Sequence, residues 1–140
     1  MREGLQKSLE ILNMRSRLPL TLVESYRPSD GILRLNKAMM RKIRKSLLFI
    51  ADTTAITSID SQESQQLIPS PNVCVEIGYA IQSKRSEQIL LAHMQRPELE
   101  GKIPFDLPTQ QILQFKNSTE LNKIIIKALE VQLARFKLFY

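Results

Sequence analysis

The segment IPSPNVCVEIGYAIQ, from Ile68 to Gln82, combines the start of a helix with one carboxylate among apolar residues. Ser70 is a residue type that caps helices, and Pro71 suits the first helical position because the N–H that it lacks needs no partner there. Apolar residues then recur at the spacing of a buried helical stripe, at Val73, Ile77, Ala80 and Ile81. The segment therefore predicts an amphipathic helix that carries Glu76 near its beginning.

A short apolar run stands on each side of this predicted helix. LLFIAD, residues 47–52, precedes it, and QILLAHM, residues 88–94, follows it. Continuous apolar runs of this length are typical of strands that are buried on both faces of a parallel sheet, and a helix is the usual connection between two such strands. The sequence therefore predicts an α/β fold with a mostly parallel sheet.

Helices are also predicted at the two ends of the chain and before LLFIAD. Leu5, Leu9 and Leu12 recur at helical spacing, as do apolar residues in ILRLNKAMMRKIRKS, residues 32–46, after the turn YRPSDG. Asn117 and Glu120 have the spacing of a capping box and predict the start of a final helix. This alternation of helices and strands predicts one domain over residues 1–140.

Two further strands and one loop complete the predicted order. Leucines alternate with other residues in LPLTLVES, residues 18–25, and QILQF, residues 111–115, is a short apolar run. Both segments predict strands. Residues 53–70 are mostly polar and predict an irregular loop, either a lid over a ligand or an ordinary surface connection.

The composition limits the classes of function. The 140 residues are 43% hydrophobic and 24% charged, with a net charge of +6 that is spread along the predicted helices, so we expect no specific nucleic-acid partner. One cysteine, Cys74, and one histidine, His93, are too few for a structural zinc site, and we interpret both as packing residues. The apolar runs are short of the roughly 20 residues that span a bilayer. We therefore expect a cytoplasmic protein with no metal and no membrane partner.

Glu76 is the main candidate for a functional side chain. At about 100° per residue it lies about 90° from the centre of the apolar stripe, at the boundary of the core. Asn72 and Tyr79 share its face, and Gly78 indicates close approach of another backbone or a ligand. A structural role, in which the carboxylate interacts with the helix dipole, is the alternative. Ligands of parallel sheets bind beyond the carboxyl ends of the strands, where Asp52 is expected.

The motifs along the chain match a known family. SPNVCVEIGYAI, preceded by LLFIADTTAI and followed by QILLAHM and KIPFDL, resembles the bacterial Toll/interleukin-1-receptor-like (TIR-like) nucleotide-binding family. Members show a strand that ends in Asp-hydrophobic-Thr, a variable loop, a Pro-Asn-Val and Glu-Leu-Gly-Tyr-Ala helix, a strand and a Pro-Phe-Asp-Leu turn. Here these correspond to residues 51–54, the loop to Ser70, Pro71–Ala80, residues 88–94 and Pro104–Leu107.

The resemblance implies a flavodoxin-like three-layer sandwich. In many relatives such a domain cleaves the bond between nicotinamide and ribose in NAD, often in antiviral defence, and the catalytic glutamate lies where Glu76 stands. Nicotinamide leaves as a neutral molecule, so one anion is enough to stabilise the oxocarbenium-like ribosyl centre or to bond with it transiently. Asp52 and Thr53 would bind a ribose, and Asn72 and Tyr79 would flank the carboxylate.

The chain departs from the family at its beginning. Relatives start with a strand that lies centrally in the sheet, and this chain starts with the predicted helix. Without that strand, two neighbouring strands would expose unpaired backbone groups. Three explanations are open: an N-terminally truncated domain, a rearranged sheet whose neighbours close the gap, or a strand supplied by a partner.

The sequence therefore predicts a TIR-like domain that cleaves NAD through Glu76. NAD would be its substrate, and no other cofactor is expected. A catalytically silent nucleotide- or protein-binding module and a nucleoside deoxyribosyltransferase-like enzyme are the alternatives. The expected partners are a nucleotide or dinucleotide and, by the resemblance, further copies of the chain in a homo-oligomer.

Overall fold

A computed structural model describes residues 1–24, 37–60 and 64–139 of the chain. Within these residues it contains four α-helices, two short 3-10 helices and five strands. In chain order the α-helices and strands are α1 (Arg2–Asn13), α2 (Lys37–Lys45), β1 (Phe49–Asp52), β2 (Thr57–Asp60), β3 (Gln65–Ile68), α3 (Pro71–Ser83), β4 (Ile89–Met94), β5 (Ile112–Phe115) and α4 (Ser118–Ala134). No helix in this part of the chain has the length and apolarity needed to cross a membrane.

The five strands form two sheets. β1, β4 and β5 lie side by side in that order, and both pairs are parallel. The register sets Ala51 opposite Leu91 and Leu91 opposite Ile112. The strands fall within the three apolar runs that predict them, so the predictions of an α/β fold and of a mostly parallel sheet are confirmed.

The central strand β4 is buried on both faces. Leu90 and Leu91 point to opposite faces of the sheet, and neither has accessible surface. On the face of Leu91, α2 and α3 complete an apolar cluster of Met39, Ile43, Phe49, Ala51, Ile77, Ala80, Ile89 and Leu91. The helices predicted on either side of β1 are thus confirmed where the structure describes them. The predicted turn at 26–31 and residues 32–36 lie outside the described residues.

The prediction of an irregular loop over residues 53–70 is wrong. β2 and β3 pair antiparallel, with Thr57 opposite Ile68 and Asp60 opposite Gln65. The polar composition conceals these strands because only Leu67 among their residues is buried, so the alternation of apolar and polar residues is weak. A small antiparallel sheet therefore stands where a lid or surface loop was expected.

The strand predicted over residues 18–25 is also wrong for residues 18–24, and residue 25 lies outside the described part. The Asn13 side chain donates to the carbonyl of Leu20 at 2.9 Å and accepts from its N–H at 2.7 Å. One amide therefore occupies both backbone groups that a neighbouring strand would bind. Leu18 and Val23 are 60% and 64% exposed, so the alternating leucines do not mark a buried face.

The chain forms two compact units, one of Met1–Glu24 with Lys116–Tyr140 and one of Ser25–Phe115. In the first unit α1 packs against α4. The buried apolar residues of these two helices are Leu5, Leu9, Leu12, Leu121, Ile125, Leu129 and Leu133. The predicted leucine stripe of the first helix is confirmed, while one domain over residues 1–140 stays a prediction.

The predicted cap of the last helix is present. The Asn117 side chain accepts a hydrogen bond of 2.9 Å from the backbone N–H of Glu120. The Glu120 carboxylate in turn accepts one of 3.4 Å from the N–H of Lys116, one residue earlier than in a standard capping box. Two backbone donors at the start of α4 are therefore satisfied by side chains.

Two glycines in the second unit have opposite surroundings. Gly101 has a φ of +144°, and a Cβ there would overlap the carbonyl oxygen of Gln65. Gly78 is exposed, and within the described part of the chain nothing lies within 4 Å of a Cβ built on it. The close approach of another backbone predicted at Gly78 is therefore not found among the described residues, while close approach of a ligand there stays a prediction.

These surroundings predict opposite effects of alanine. Gly78→Ala should raise the free energy of unfolding by about 0.5–1 kcal/mol, because alanine favours the helix and nothing obstructs its methyl group. Gly101→Ala should lower it by about 1–3 kcal/mol, because both the backbone conformation and the contact with Gln65 are lost. Urea unfolding of the two variants measures both values. A neutral Gly101→Ala would contradict the packing described here.

Candidate functional site

The start of α3 lies towards the carboxyl ends of the sheet strands. α3 connects β1 to its parallel neighbour β4, so it must run back against the strand direction. Ser70 is its N-cap and Pro71 its first residue, as predicted, although the Ser70 side chain makes no capping hydrogen bond. The Ser70 carbonyl instead accepts from the N–H of Cys74 at 3.1 Å. The first turns of α3 are thus near the edge where ligands of such sheets bind.

Glu76 is more buried than its position in the sequence predicts. Only 4% of its surface is exposed, while Ile81, predicted to be buried, is 44% exposed. The buried face of α3 is therefore rotated from the predicted stripe towards Glu76. α2 causes this rotation because it packs against the side of α3 that carries Tyr79.

Glu76 is also the only acidic side chain that is buried among the described residues. Its Oε1 atom has essentially no accessible surface. Charged side chains are seldom enclosed to this extent in protein interiors, because the charged form loses its hydration. The position of this carboxylate is thus the most unusual chemical feature of the second unit.

Tyr79 takes part in the contact between α2 and α3. Its hydroxyl oxygen accepts a hydrogen bond of 3.4 Å from Nη1 of Arg44. Nearby, the Lys84 ammonium donates to the carbonyls of Arg44, at 3.3 Å, and of Ser46 at the end of α2. Burial lowers the pKa of Lys84. These bonds hold the end of α2 on α3, so the Tyr79 hydroxyl already has a structural partner.

Asp52 and Thr53 are also engaged in local structure. Asp52 is exposed, and its Oδ1 accepts from the N–H of Thr54 at 3.0 Å and from its hydroxyl at 2.6 Å. Thr53 is fully buried, and its N–H and hydroxyl both donate to the carbonyl of Ala92, at 2.7 and 3.2 Å. The structure places these two residues at the end of β1, and Glu76 and Tyr79 on α3, with Asn72 half-buried in its first turn.

A cleft of about 240 Å³ lies on the second unit, beside the carboxyl ends of β4 and β5. Its walls consist of His93, Gly101, Lys102, Ile103, Phe105, Ile112 and Gln114. His93 is buried, as predicted for a packing residue, and its Nδ1 lies 3.4 Å from the carbonyl oxygen of Thr53. Lys102 is the first residue of the KIPFDL motif and Gln114 lies in the apolar run QILQF, but neither is a predicted site residue. The feature of the sequence that indicates this cleft is a polar residue near the end of two apolar strands, His93 in β4 and Gln114 in β5.

None of the five predicted site residues lies in the wall of this cleft. Within residues 1–24, 37–60 and 64–139, no group of three or more His, Cys, Asp or Glu side chains is placed to hold a metal ion. No family model, curated protein or solved structure matches the chain.

The environment of Cys74 predicts slow thiol chemistry. Cys74 lies in the first turn of α3, half-buried, with Sγ 3.8 Å from the carbonyl of Pro69. Burial raises the pKa of its thiol, so less of the reactive thiolate forms at pH 8 than in the unfolded chain. Iodoacetamide labelling, followed by mass spectrometry, should be severalfold slower in the native protein than in urea. Equal rates would show that the first turn of α3 is open.

Proposed function

We propose that this chain is a TIR-like domain that binds a nucleotide and hydrolyses the bond between nicotinamide and ribose in NAD, with Glu76 as the catalytic carboxylate. The observation that carries the proposal is the position of Glu76. It is the only buried carboxylate among the described residues, and it lies on the helix that starts towards the ligand-binding edge of a parallel sheet. A homo-oligomer and a role in antiviral defence are further predictions of the same resemblance, and the short apolar runs of the sequence predict a cytoplasmic location.

The sheet supports a flavodoxin-like form of the fold. In the strand order 2-1-3-4-5 of such sheets, the last three strands lie side by side in chain order. β1, β4 and β5 have this arrangement, and α3 connects the first two. In this proposal β1 takes the third place of the flavodoxin-like order.

The chemistry requires one anion in a protected place. The bond between ribose C1′ and the pyridinium nitrogen breaks, and its electron pair goes to the nitrogen, so that nicotinamide leaves neutral. C1′ becomes oxocarbenium-like, and the Glu76 carboxylate stabilises this positive charge or bonds with it transiently. Water then adds to C1′ and loses a proton, which yields ADP-ribose. Enclosure of Glu76 favours this role because electrostatic stabilisation is stronger where water is excluded.

The same enclosure sets a condition for activity. With 4% of its surface exposed, Glu76 contacts a substrate only after the groups that cover it have moved. The net charge of +6 favours the arrival of an anionic dinucleotide but does not open the site. We therefore expect the resting chain to turn over slowly and an activated assembly to turn over faster.

A catalytically silent binding module is the second candidate. The specific observations in its favour are the local hydrogen bonds of Asp52 and Thr53, which occupy groups that the enzyme would use on the ribose. Such a module would bind NAD without consuming it. The deoxyribosyltransferase-like alternative would instead exchange the base of a deoxynucleoside for a free acceptor base, which chromatography of the nucleosides would follow.

The test compares NAD consumption and nicotinamide release by the wild-type chain and by Glu76→Gln at high protein concentration. Gln keeps the shape of the side chain and removes its charge, so turnover should fall by about 100-fold or more. Glu10→Gln is the matched control, since Glu10 is exposed on α1 in the first unit and should leave the rate unchanged.

Binding is measured separately so that the two candidates can be distinguished. Calorimetry should show that Glu76→Gln retains most of its affinity for NAD, and circular dichroism should show that it folds. Saturable binding of NAD without turnover in the wild type would support the module over the enzyme. Equal turnover by the wild type and Glu76→Gln would remove Glu76 from the chemistry.

A further inference from the structure

The cleft beside β4 and β5 has an apolar part and a polar part. Ile103, Phe105 and Ile112 supply apolar surface, including one aromatic ring. His93 and Gln114 supply polar groups from register partners on neighbouring strands. The wall is divided about evenly between apolar and polar surface. A small molecule that has both an apolar face and a polar group can therefore contact both parts of it.

The wall that carries Lys102 is held in place by backbone hydrogen bonds. The N–H of Lys102 donates to the carbonyl of Gln65 at 3.1 Å, and its carbonyl accepts from the N–H of Leu67 at 2.8 Å. These bonds attach the segment to β3, and the glycine before it lets the two backbones approach. The cleft is therefore preformed on both sides, by the sheet and by this segment.

The charge of the cleft wall is positive. Among the described lining residues Lys102 is the one lysine and none is acidic, and the others are apolar or polar. The carboxylate of Glu98, four residues before Lys102, is paired with Arg96 at 3.4 Å, and Glu100, two residues before Lys102, is exposed to solvent. A ligand with one negative charge would meet the Lys102 ammonium at the mouth of the cleft.

The volume limits the ligand to one ring. Sites for drug-sized molecules enclose about 300–1,000 Å³, and this cleft is smaller, at about 240 Å³. A dinucleotide such as NAD does not fit within it. We propose that the cleft binds a single aromatic or heteroaromatic ring that carries one anionic group, at a site separate from Glu76. The ring packs against Phe105 and the isoleucines, the anion pairs with Lys102, and Gln114 or His93 bonds to a polar edge of the ring.

The test is a titration of the full chain, followed by backbone amide NMR. Benzoate and phenyl phosphate are the probes, because they share the ring and differ in the anion. Benzyl alcohol carries the ring alone, and acetate and inorganic phosphate carry the anion alone. At least one of the two probes should cause saturable shifts at His93, Lys102–Phe105 and Ile112–Gln114, with a Kd of about 1 mM, typical of so small a ligand.

Two variants separate the parts of the site. Lys102→Gln should weaken binding of the anionic probes by about three- to tenfold and leave benzyl alcohol unchanged. Phe105→Leu should weaken the aromatic probes, the neutral one included. Lys37→Gln, an exposed lysine at the start of α2 in the same unit, is the matched control and should change nothing. Unchanged amide spectra outside the cleft confirm that each variant folds.

Each other outcome overturns the proposal. Equal shifts with acetate or inorganic phosphate would mean general attraction of anions to a basic protein. If Lys37→Gln weakened binding of the anionic probes as much as Lys102→Gln does, the attraction would likewise be general. No saturable shift at the cleft residues, with either aromatic anion up to its solubility limit, would mean that the cleft takes no ligand of this class.

Discussion

The structure of the second unit depends on one constraint, the burial of β4. Its backbone pairs with β1 on one side and with β5 on the other, and its side chains are buried on both faces. Such a strand has to be apolar until it reaches the end of the sheet, where its polar residue is His93. The neighbouring strands show the same pattern, since Thr53 directly follows β1 and Gln114 is near the end of β5. Polar chemistry in this unit therefore gathers at the carboxyl edge of the sheet.

The sequence predicts the elements whose burial is continuous or strictly periodic, such as β4, α3 and the stripe of Leu5, Leu9 and Leu12. It fails for β2 and β3 because their stability comes from pairing with each other, and one buried leucine leaves little periodic signal. It also fails for the rotation of α3, which depends on where α2 packs. The sequence does not predict the cleft because backbone hydrogen bonds to β3 position Lys102, and no local sequence pattern indicates such bonds.

Within the candidate site, burial and hydrogen bonding distinguish four of the five predicted residues. Asp52 and Thr53 stabilise the turn after β1 and its link to β4, and Tyr79 contributes to the contact between two helices. Glu76 is different, since it is the one carboxylate among the described residues that is enclosed in the protein interior. In the proposed reaction this enclosure would favour catalysis, because an enclosed carboxylate stabilises an oxocarbenium centre better than a hydrated one does. The proposed function thus depends on Glu76 more than on any other residue.

The most direct measurement of this claim is the carboxyl carbon resonance of Glu76 during titration with a carbocyclic NAD analogue that cannot be hydrolysed. The Glu76→Gln variant identifies the resonance by its absence. If the nicotinamide end of NAD binds against this carboxylate, the resonance should shift and saturate with the analogue. A resonance that stays unchanged while the analogue saturates amides elsewhere would place the nucleotide away from Glu76 and contradict the proposed mechanism.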